Sequence, residues 1–410
     1  MKKIVFFSSL FLYFLGTSFA QEGAQTWIKS VVFTPTDKEL TSTIVPLGTP
    51  LNFSFDDLEA NQKVYQYKIE HMTFDWKPSD LLVNEYIDGF QQQTIQEYDN
   101  SFNTLQDYTH YAFEIPNESL SIKKSGNYQV TIIDLMGNPV LKRRFTYFEN
   151  LVQVGVKVIR SRASGQSNSH QDVEFSINYP QLNINNPGQE IKIAVLQNNN
   201  WNTAITQFRR PFYKRNQIVY GSNSGATFAA GNEFLNFDNK ALSSTTLKIA
   251  KVEKQQIYHH YLHNQEPRFN KPYTYSPDIN GRFLIRAINT NSSSTEADYV
   301  FVHFSLKTKE LTPEKVFVFG GFNDFKTGIE NQMKYDLKTE SYLATLLLKQ
   351  GFYNYNFVSS SPNGIVNLSQ FSGSFYQTEN SYTVLVYYRP MNSNYDRVIG
   401  SQTSIFEQTQ

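Results

Sequence analysis

The sequence predicts an all-β fold: three consecutive immunoglobulin-like β-sandwich domains that follow a cleaved signal peptide. Aromatic residues make up 15% of the 410 residues, and aromatic side chains favour half-buried strands. Short runs that alternate apolar and polar residues recur along the chain, which is typical of strands. Turn-forming residues separate these runs, as in β-sandwiches. A chain of this length exceeds one ordinary core, so several domains are expected.

The first element is a signal peptide, predicted over residues 1–20. Two lysines precede an apolar run from Ile4 to Leu15, and the small residues Ser18 and Ala20 stand where a signal peptidase reads. No later stretch has the length of a membrane helix, so we expect an exported, soluble protein without a membrane span. The chain has no cysteine, which excludes disulfides, thiolate metal sites and a lipoprotein anchor.

Charge excludes one class of partner. The 37 Lys and Arg residues balance the 37 Asp and Glu residues. An even mixture of charges creates no field that would gather nucleic acid or an anionic membrane. We therefore predict no nucleic-acid partner.

The N-terminal sandwich is predicted over residues 21–148. Within the run VYQYKIEHMTF, Tyr67, Ile69 and His71 share one face of a strand. We predict that His71 is a core or strand-end histidine with a satisfied hydrogen bond, and that it is not a metal ligand. Trp76 follows this strand, and we expect its indole N–H to reach a carbonyl while the ring caps the sandwich.

Three carboxylates come next in the chain. Asp80, Glu85 and Asp88 are expected in a loop. Nothing in the pattern fixes two of them at the separation that acid/base catalysis requires. We therefore interpret residues 68–90 as scaffold whose loop could contact a partner.

The second sandwich is predicted over residues 149–309, with long loops. Its YHHYLH motif places His259 and His263 four residues apart. In a strand this spacing corresponds to about 13 Å, which is too far for two ligands of one ion. We predict a structural strand rather than a metal site. The motif GSNSG has Asn223 where a nucleophilic serine would stand.

The third sandwich, of the early-set immunoglobulin type, is predicted over residues 310–402, and residues 403–410 are predicted to form a tail. Gly320 and Gly321 are not followed by the pattern of a phosphate-binding loop. The chain carries no recognisable constellation of catalytic, metal-binding or cofactor-binding residues. We therefore predict a protein that is not an enzyme and has no cofactor.

Several stretches along nearly the whole mature chain resemble one known family, the plug proteins of the Bacteroidota type IX secretion system. The stretches are PLGTPLNFSFDDL, YKIEHMTFDWKPSDLLVNEYIDGF, SFNTLQDYTHYAFEIPNE, SGNYQVTIID, EPRFNKPYTYSPDINGRF, EADYVFVHFSL and LLLKQGFYNYNFV. Their number and order carry the resemblance, because none is chemically diagnostic alone.

This resemblance implies a function by steric occupancy. It implies a periplasmic plug that occludes the periplasmic opening of the large outer-membrane translocon barrel in its resting state. The plug would be displaced during cargo export and would act as a monomer within a hetero-complex. The chain ends after a module that resembles the plug family, so we expect machinery rather than secreted cargo.

Two alternatives remain open. The stretches VFVFGGFNDF and GFYNYNFV are similar to early-set immunoglobulin modules, some of which bind starch on exposed tryptophans. This chain has Phe322 and Phe325 at the corresponding strand end, and core packing explains both rings better. An envelope carbohydrate-binding protein is the first alternative, and a hydrolase is the second and weaker one.

Partner contacts are expected at aromatic and arginine residues in loop-like stretches, because these residue types dominate binding energy. The predicted contact residues are Tyr86, Phe90, Arg209, Arg210, Phe212 and Tyr213.

Overall fold

The computed structural model describes residues 25–37 and 42–406. It is mostly β, with 47% strand and 6% helix, so the all-β prediction is confirmed. The predicted signal peptide lies outside the described residues. The strands form three packed units, and the predicted count of three immunoglobulin-like sandwiches is not confirmed, because the third unit contains a nearly closed, barrel-like sheet.

The first unit contains eleven strands and a one-turn helix. These are β1 (Ile28–Pro35), β2 (Ile44–Pro46), β3 (Leu51–Asp57), β4 (Gln66–Met72), α1 (Val83–Tyr86), β5 (Ile87–Gly89), β6 (Gln92–Thr94), β7 (Glu97–Asn100), β8 (Thr109–Ile115), β9 (Leu120–Ile122), β10 (Gly126–Ile133) and β11 (Pro139–Phe148).

The middle of the chain continues with β12 (Gln153–Arg160), β13 (His170–Asn178), α2 (Pro187–Glu190), β14 (Ile191–Gln197), β15 (Phe212–Lys214), β16 (Gln217–Tyr220) and β17 (Thr227–Ala229). The remaining elements are β18 (Leu235–Asp238), β19 (Ile249–Lys254), β20 (Tyr258–Leu262), β21 (Phe283–Ile285), α3 (Ser293–Glu296), β22 (Tyr299–Lys307), β23 (Lys315–Phe319), β24 (Gln332–Asp336), β25 (Ser341–Lys349), β26 (Gly351–Ser360), β27 (Val366–Asn367), β28 (Ser381–Tyr388) and β29 (Arg397–Ile405). Single 3₁₀ turns lie at Trp201–Thr203, Gly321–Asn323 and Ile329–Asn331.

Two sheets build the first unit, in the orders β1-β3-β8-β7 and β2-β11-β10-β4-β6, and β5 pairs with β9 beside them. Side chains from both sheets, such as Phe53 and Val130, share one core. In β4, Tyr67, Ile69 and His71 are buried while the residues between them are half-buried. The alternation predicted for this strand is therefore confirmed. Glu85 lies in α1 and Asp88 in β5, not in the expected loop.

The second unit closes with strands from the C-terminal end of the chain. One sheet has the order β12-β13-β16-β15, with β17 on β13, and the other is β14-β28-β29. Val195 of β14 pairs with Val384 of β28, and both lie in the core shared by the two sheets. The sheets thus do not follow the predicted boundary between residues 309 and 310. Strand β29 also extends to Ile405, into the predicted tail 403–410.

The third unit is a ten-stranded sheet with the path β18-β26-β23-β24-β25-β22-β20-β19, and β21 and β27 pair with β26. Strands on both sides of the residue 309 boundary therefore belong to one sheet. Its core includes Phe237, Val302 and Phe357. Only the β20–β22 pair is parallel among the pairings of this sheet in the described chain.

Candidate functional site

A buried carboxylate joins the first unit to the third. The ammonium group of Lys349 and the hydroxyl of Tyr299 both donate to Asp56 Oδ2, at 2.6 Å and 2.7 Å. His110 Nδ1 lies 2.6 Å from the other oxygen, Asp56 Oδ1. The side chains of Asp56 and Lys349 are 0% and 1% exposed. The carboxylate is thus hydrogen-bonded on both oxygens, which a buried charge requires.

The ammonium group of Lys349 has further partners from the third unit and the first. It donates to Ser294 O at 2.6 Å and lies 4.0 Å from the ring centroid of Tyr108. Burial lowers the pKa of Lys349, and the charge of Asp56 opposes that shift. Tyr108 is itself fixed, because its hydroxyl donates to Ala297 O at 2.8 Å. The first and third units therefore meet at a closed polar cluster.

This polar cluster collects four of the sequence stretches that carry the family resemblance. Asp56 belongs to FSFDDL, Tyr108 to QDYTHY, Tyr299 to EADYVF and Lys349 to LLLKQG. The sequence analysis did not single out these residues. The stretch LLLKQG could have indicated such a cluster, because its lysine ends an apolar run. A lysine buried with such a run is expected to have a carboxylate partner, since unpaired lysine is rarely buried.

A second polar contact joins the first unit to the second. Arg397 of β29 donates to both carboxylate oxygens of Glu149, from Nε at 2.6 Å and from Nη2 at 2.7 Å. Tyr387 of β28 donates to Asn127 Oδ1 of β10 at 2.8 Å. Two-point arginine–carboxylate pairs fix orientation as well as distance.

The second and third units are also joined. Gln171 Nε2 of β13 donates to Tyr376 O at 2.6 Å and to Thr378 O at 2.8 Å, in the segment between β27 and β28. Asn202 Nδ2 of the second unit also donates to Phe325 O of the third unit at 3.4 Å. Each unit is therefore hydrogen-bonded to both others, and the three form one body.

His71 lies inside the first unit. Its ring is 5.0 Å from that of Tyr128 and 5.8 Å from that of Tyr395, which belongs to the second unit. Burial lowers the pKa of His71 to about 4, and the backbone of Ser125 partly opposes the shift. The core position is as predicted. The predicted hydrogen bond is absent, since neither ring nitrogen has a well-formed partner among the described residues.

The two predicted contact residues of the first unit differ in exposure: Tyr86 is buried and Phe90 is exposed. Tyr86 is 4% exposed, lies in the core, and accepts a hydrogen bond from Gln91 Nε2 at 2.9 Å. The prediction that Tyr86 contacts a partner does not fit this burial, because α1 turns its ring inward. Phe90 follows β5 and is 72% exposed.

The other four predicted contact residues lie together on the second unit, in a segment we name the basic-aromatic hairpin, residues 209–215. Its centre is β15, an edge strand whose one partner among the described strands is β16. Phe212 is 61% exposed and Tyr213 is 48% exposed. Four exposed cations surround these rings: Arg209, Arg210, Lys214 and Arg215. The sequence analysis missed Lys214 and Arg215, although they directly follow the named residues.

The histidine motif of the third unit forms a strand, β20, over Tyr258–Leu262. His259 Nδ1 lies 2.9 Å from Nε2 of His303 on the neighbouring β22, and His263 lies beyond the strand end. Among the described residues, no three His, Asp or Glu side chains converge in a way that could hold a metal ion.

The two phenylalanines weighed as a sugar platform are half-buried. The ring of Phe322 lies 5.8 Å from Tyr353, and that of Phe325 lies 5.5 Å from Phe319. Both pack against core clusters of the third unit. Neither ring therefore offers a flat exposed face for a sugar.

A solved structure resembles the whole chain. The crystal structure of a hypothetical protein from Parabacteroides merdae ATCC 43184, at 2.30 Å resolution, superposes with a TM-score of 0.90 and 30% sequence identity. The match covers 94% of this chain and 98% of that one. Residues 28–149 match a family model described as the first domain of the type 9 secretion system plug protein. Residues 28–149 thus belong to this plug-protein family, as its first domain.

The plug-family match coincides with a structural unit. It begins at the first residue of β1 and ends one residue after β11. Membership implies a plug role in type 9 secretion and association with the translocon. No curated protein matches the chain. In the part of this plug-family chain that the structure describes, no helix is long and apolar enough to cross a membrane.

Proposed function

We propose that this plug-family protein occludes the periplasmic opening of the type 9 translocon barrel in the resting state and leaves during cargo export. The observation that carries the proposal is that side-chain hydrogen bonds join each of the three units to both of the others. A plug must resist deformation, and a body whose units are each hydrogen-bonded to both others resists it. The action is steric and uses no catalytic group.

The basic-aromatic hairpin is the proposed anchor on the barrel. Exposed aromatic and arginine side chains are the residues that most often dominate interface energy. Four cations without an interspersed carboxylate favour an acidic patch on the barrel rim. The free edge of β15 could also accept a strand. One hairpin is smaller than a stable interface of at least about 1,000 Å², so the hairpin serves as one part of a larger surface.

Displacement follows from competition between partners. If the plug and the cargo-collecting barrel prefer different states of the translocon, their exchange depends on the difference in their affinities. A difference of about 3 kcal/mol changes the occupancy ratio more than a hundredfold. No nucleotide is required for such an exchange.

The first test is to tag the protein at its chromosomal locus and purify it gently from detergent-solubilised envelopes. We expect one very large barrel in the same particles and no cargo-collecting barrel. Purification without that barrel, or together with polysaccharide, would contradict the proposal and favour the carbohydrate-binding alternative.

The anchor is tested separately with charge reversal. The double variant Arg209→Glu, Arg210→Glu should recover much less barrel than the wild type. The control, Lys334→Glu with Lys338→Glu, makes the same charge change at exposed residues of the third unit and should recover barrel normally. Equal losses in both variants would assign the effect to net charge rather than to the hairpin.

A further inference from the structure

A cleft opens where the three units meet. Its volume is about 630 Å³, and its lining includes residues 142–144 of the first unit, 198–202 of the second, and 278–280, 282–283 and 324–326 of the third. This volume lies within the range of ligand-binding pockets, about 300 to 1,000 Å³. Because all three units contribute walls, the cleft exists only in the assembled body.

Arg144 lines the cleft, and among the described residues no carboxylate forms an ion pair with it. Its guanidinium lies 4.5 Å from the ring of Trp76, and that ring packs edge-on against Trp201 at 4.8 Å. Asp324, the carboxylate that most influences it, is paired with Arg143 at 3.7 Å and Lys326 at 2.7 Å instead. Burial lowers the pKa of Arg144.

Two buried donors in this region have no acceptor. Arg144 Nε and Trp76 Nε1 make no hydrogen bond among the described residues, so the carbonyl contact predicted for Trp76 is absent. An unsatisfied buried donor costs about 1 to 3 kcal/mol. Such groups are rare in folded proteins and point to a missing partner.

The backbone around the cleft is strained. Fourteen non-glycine residues of the described chain have positive φ, and five of them line this cleft: Asn198, Asn199, Asn280, Asp324 and Phe325. Such conformations cost free energy and cluster at binding sites.

A mainly apolar cavity adjoins the cleft. Its volume is about 260 Å³, and it shares Asn198, Asn280 and Phe325 with the cleft. Phe228, Phe234 and Phe319 also line this cavity. Together the two cavities form a path lined by cations and asparagine amides in the cleft and by aromatic rings in the neighbouring cavity. The three carboxylates of the cleft have partners of their own: Asp278 accepts from Asn280 N, Asp324 pairs with Lys326, and Glu379 accepts from the hydroxyl of Tyr275. Amide side chains both donate and accept, as peptide groups do.

We propose that this cleft binds an extended peptide segment that carries a carboxylate side chain near an aromatic or aliphatic one. Arg144 receives the carboxylate, the asparagines pair with the peptide groups, and the aromatic cavity takes the apolar side chain. The site lies away from the basic-aromatic hairpin in sequence and stands on different observations, so it does not depend on the barrel contact proposed above.

The protein contains its own reporter for this site. Only three tryptophans occur in the sequence. Trp201 lines the cleft, and Trp76 packs against Trp201 and Arg144. In a Trp27→Phe background, tryptophan fluorescence, excited at a wavelength that tyrosine does not absorb, comes from these two rings alone. We would titrate the full mature chain with the blocked peptide acetyl-Phe-Glu-Phe-Glu-amide, with its glutamine counterpart, and with trigalacturonate as an acidic saccharide.

We expect saturable binding of the glutamate peptide and at least about tenfold weaker binding of the glutamine peptide, which is the loss of one charge-assisted hydrogen bond. Arg144→Gln should abolish this preference. The control Arg160→Gln removes another arginine stacked on an aromatic ring, that of Tyr376, and should preserve it. If Arg144→Gln unfolds, Asn280→Asp tests the same point by placing a repelling carboxylate in the cleft.

Three outcomes would overturn the peptide site. The first is the absence of a saturable signal with the glutamate peptide. The second is equal affinity for the two peptides, or an Asn280→Asp variant that binds the glutamate peptide as tightly as its parent. The third is tighter binding of trigalacturonate, which would assign the cleft to an acidic saccharide.

Discussion

Lys349 donates to Asp56 at 2.6 Å across the interface of the first and third units, although 293 positions separate them in sequence. Both side chains are excluded from water. A buried pair of this kind contributes less than its Coulomb attraction suggests, since both ions have lost their hydration. Removing one partner is far more costly, because the other charge remains buried alone. The pair therefore makes separation of the two units expensive.

We predict that Lys349→Met destabilises the protein by about 3 to 5 kcal/mol, because Asp56 loses its cation while remaining buried. Urea unfolding measures the change. The control Lys271→Met removes an exposed pair with Glu266 and should cost less than about 1 kcal/mol. The double variant Asp56→Asn, Lys349→Met should be more stable than the sum of the single variants predicts. Simple additivity would argue against coupling across the interface.

Gly126 is predicted to be intolerant of a side chain. It has φ +155°, and a Cβ there would lie 2.2 Å from Nε2 of the buried His71. We expect Gly126→Ala to cost more than about 2 kcal/mol through overpacking and strain. The matched variant Gly137→Ala has φ +83° but no atom within 4 Å of its Cβ, so it should cost about 1 kcal/mol from backbone strain alone. Thermal unfolding compares the two, and equal costs would show that contact with His71 is unimportant.

His71 should make stability depend on acid. Its folded-state pKa of about 4 lies below the unfolded value of about 6.5, so the folded state prefers the neutral ring. Stability is thus full above about pH 6.5 and falls as the pH drops toward 4, by about 3 kcal/mol in total.

His71→Leu should remove this part of the acid sensitivity, as measured by urea midpoints at about pH 7 and about pH 4.5. His263→Leu, at an exposed histidine, is the control and should retain it. If the two variants keep the same pH dependence, another group is responsible.

Glu233 should have the opposite effect. Burial raises its pKa to about 7, although the hydroxyl of Tyr273 donates to it. The folded state therefore prefers the protonated acid, and stability declines as the pH rises from about 4.5 through 7. Glu233→Gln should stabilise the protein at about pH 8 by about 1 to 2 kcal/mol, less than the full pKa difference because water screens part of the charge.

The control for the Glu233→Gln variant is a second stability measurement at lower pH. Near about pH 5 the gain from Glu233→Gln should almost vanish, because the wild-type carboxyl is then already protonated. Glu266→Gln, at an exposed acid, should show no gain at either pH. A gain that is equal at both pH values would indicate better packing rather than removal of a charge.

Local sequence patterns were sufficient to predict which side chains of a strand are buried. The alternation of Tyr67, Ile69 and His71 gave the correct buried face of β4, because a strand turns successive side chains to opposite sides. The prediction of Tyr86 as a contact residue in a loop-like stretch does not fit its burial, because the helical turn α1 directs the ring inward and is too short to leave a periodic signal. The exposed rings of Phe212 and Tyr213 follow from a short edge strand between polar residues.

Long-range pairing could not be predicted in the same way. Strand β14 is apolar on both faces, which indicates a central strand but does not identify its neighbours. Its partner, β28, is likewise apolar, and any of several strands would suit either one. For the same reason the pairing of Asp56 with Lys349 was hidden, since the apolar run before Lys349 indicates a buried strand but does not identify the carboxylate that it meets.

The pairing of β14 with β28, and of β28 with β29, determines the order in which the three units can fold. All strands of the first unit are present once residue 148 has been delivered, so its two sheets can pair while the rest of the chain is still arriving. The second unit cannot be completed at that stage, because the apolar strand β14 stays unpaired until β28 and β29 have been delivered. A chaperone-dependent delay would therefore fall on the middle of this protein rather than on its end, and a shortened chain would fail there first.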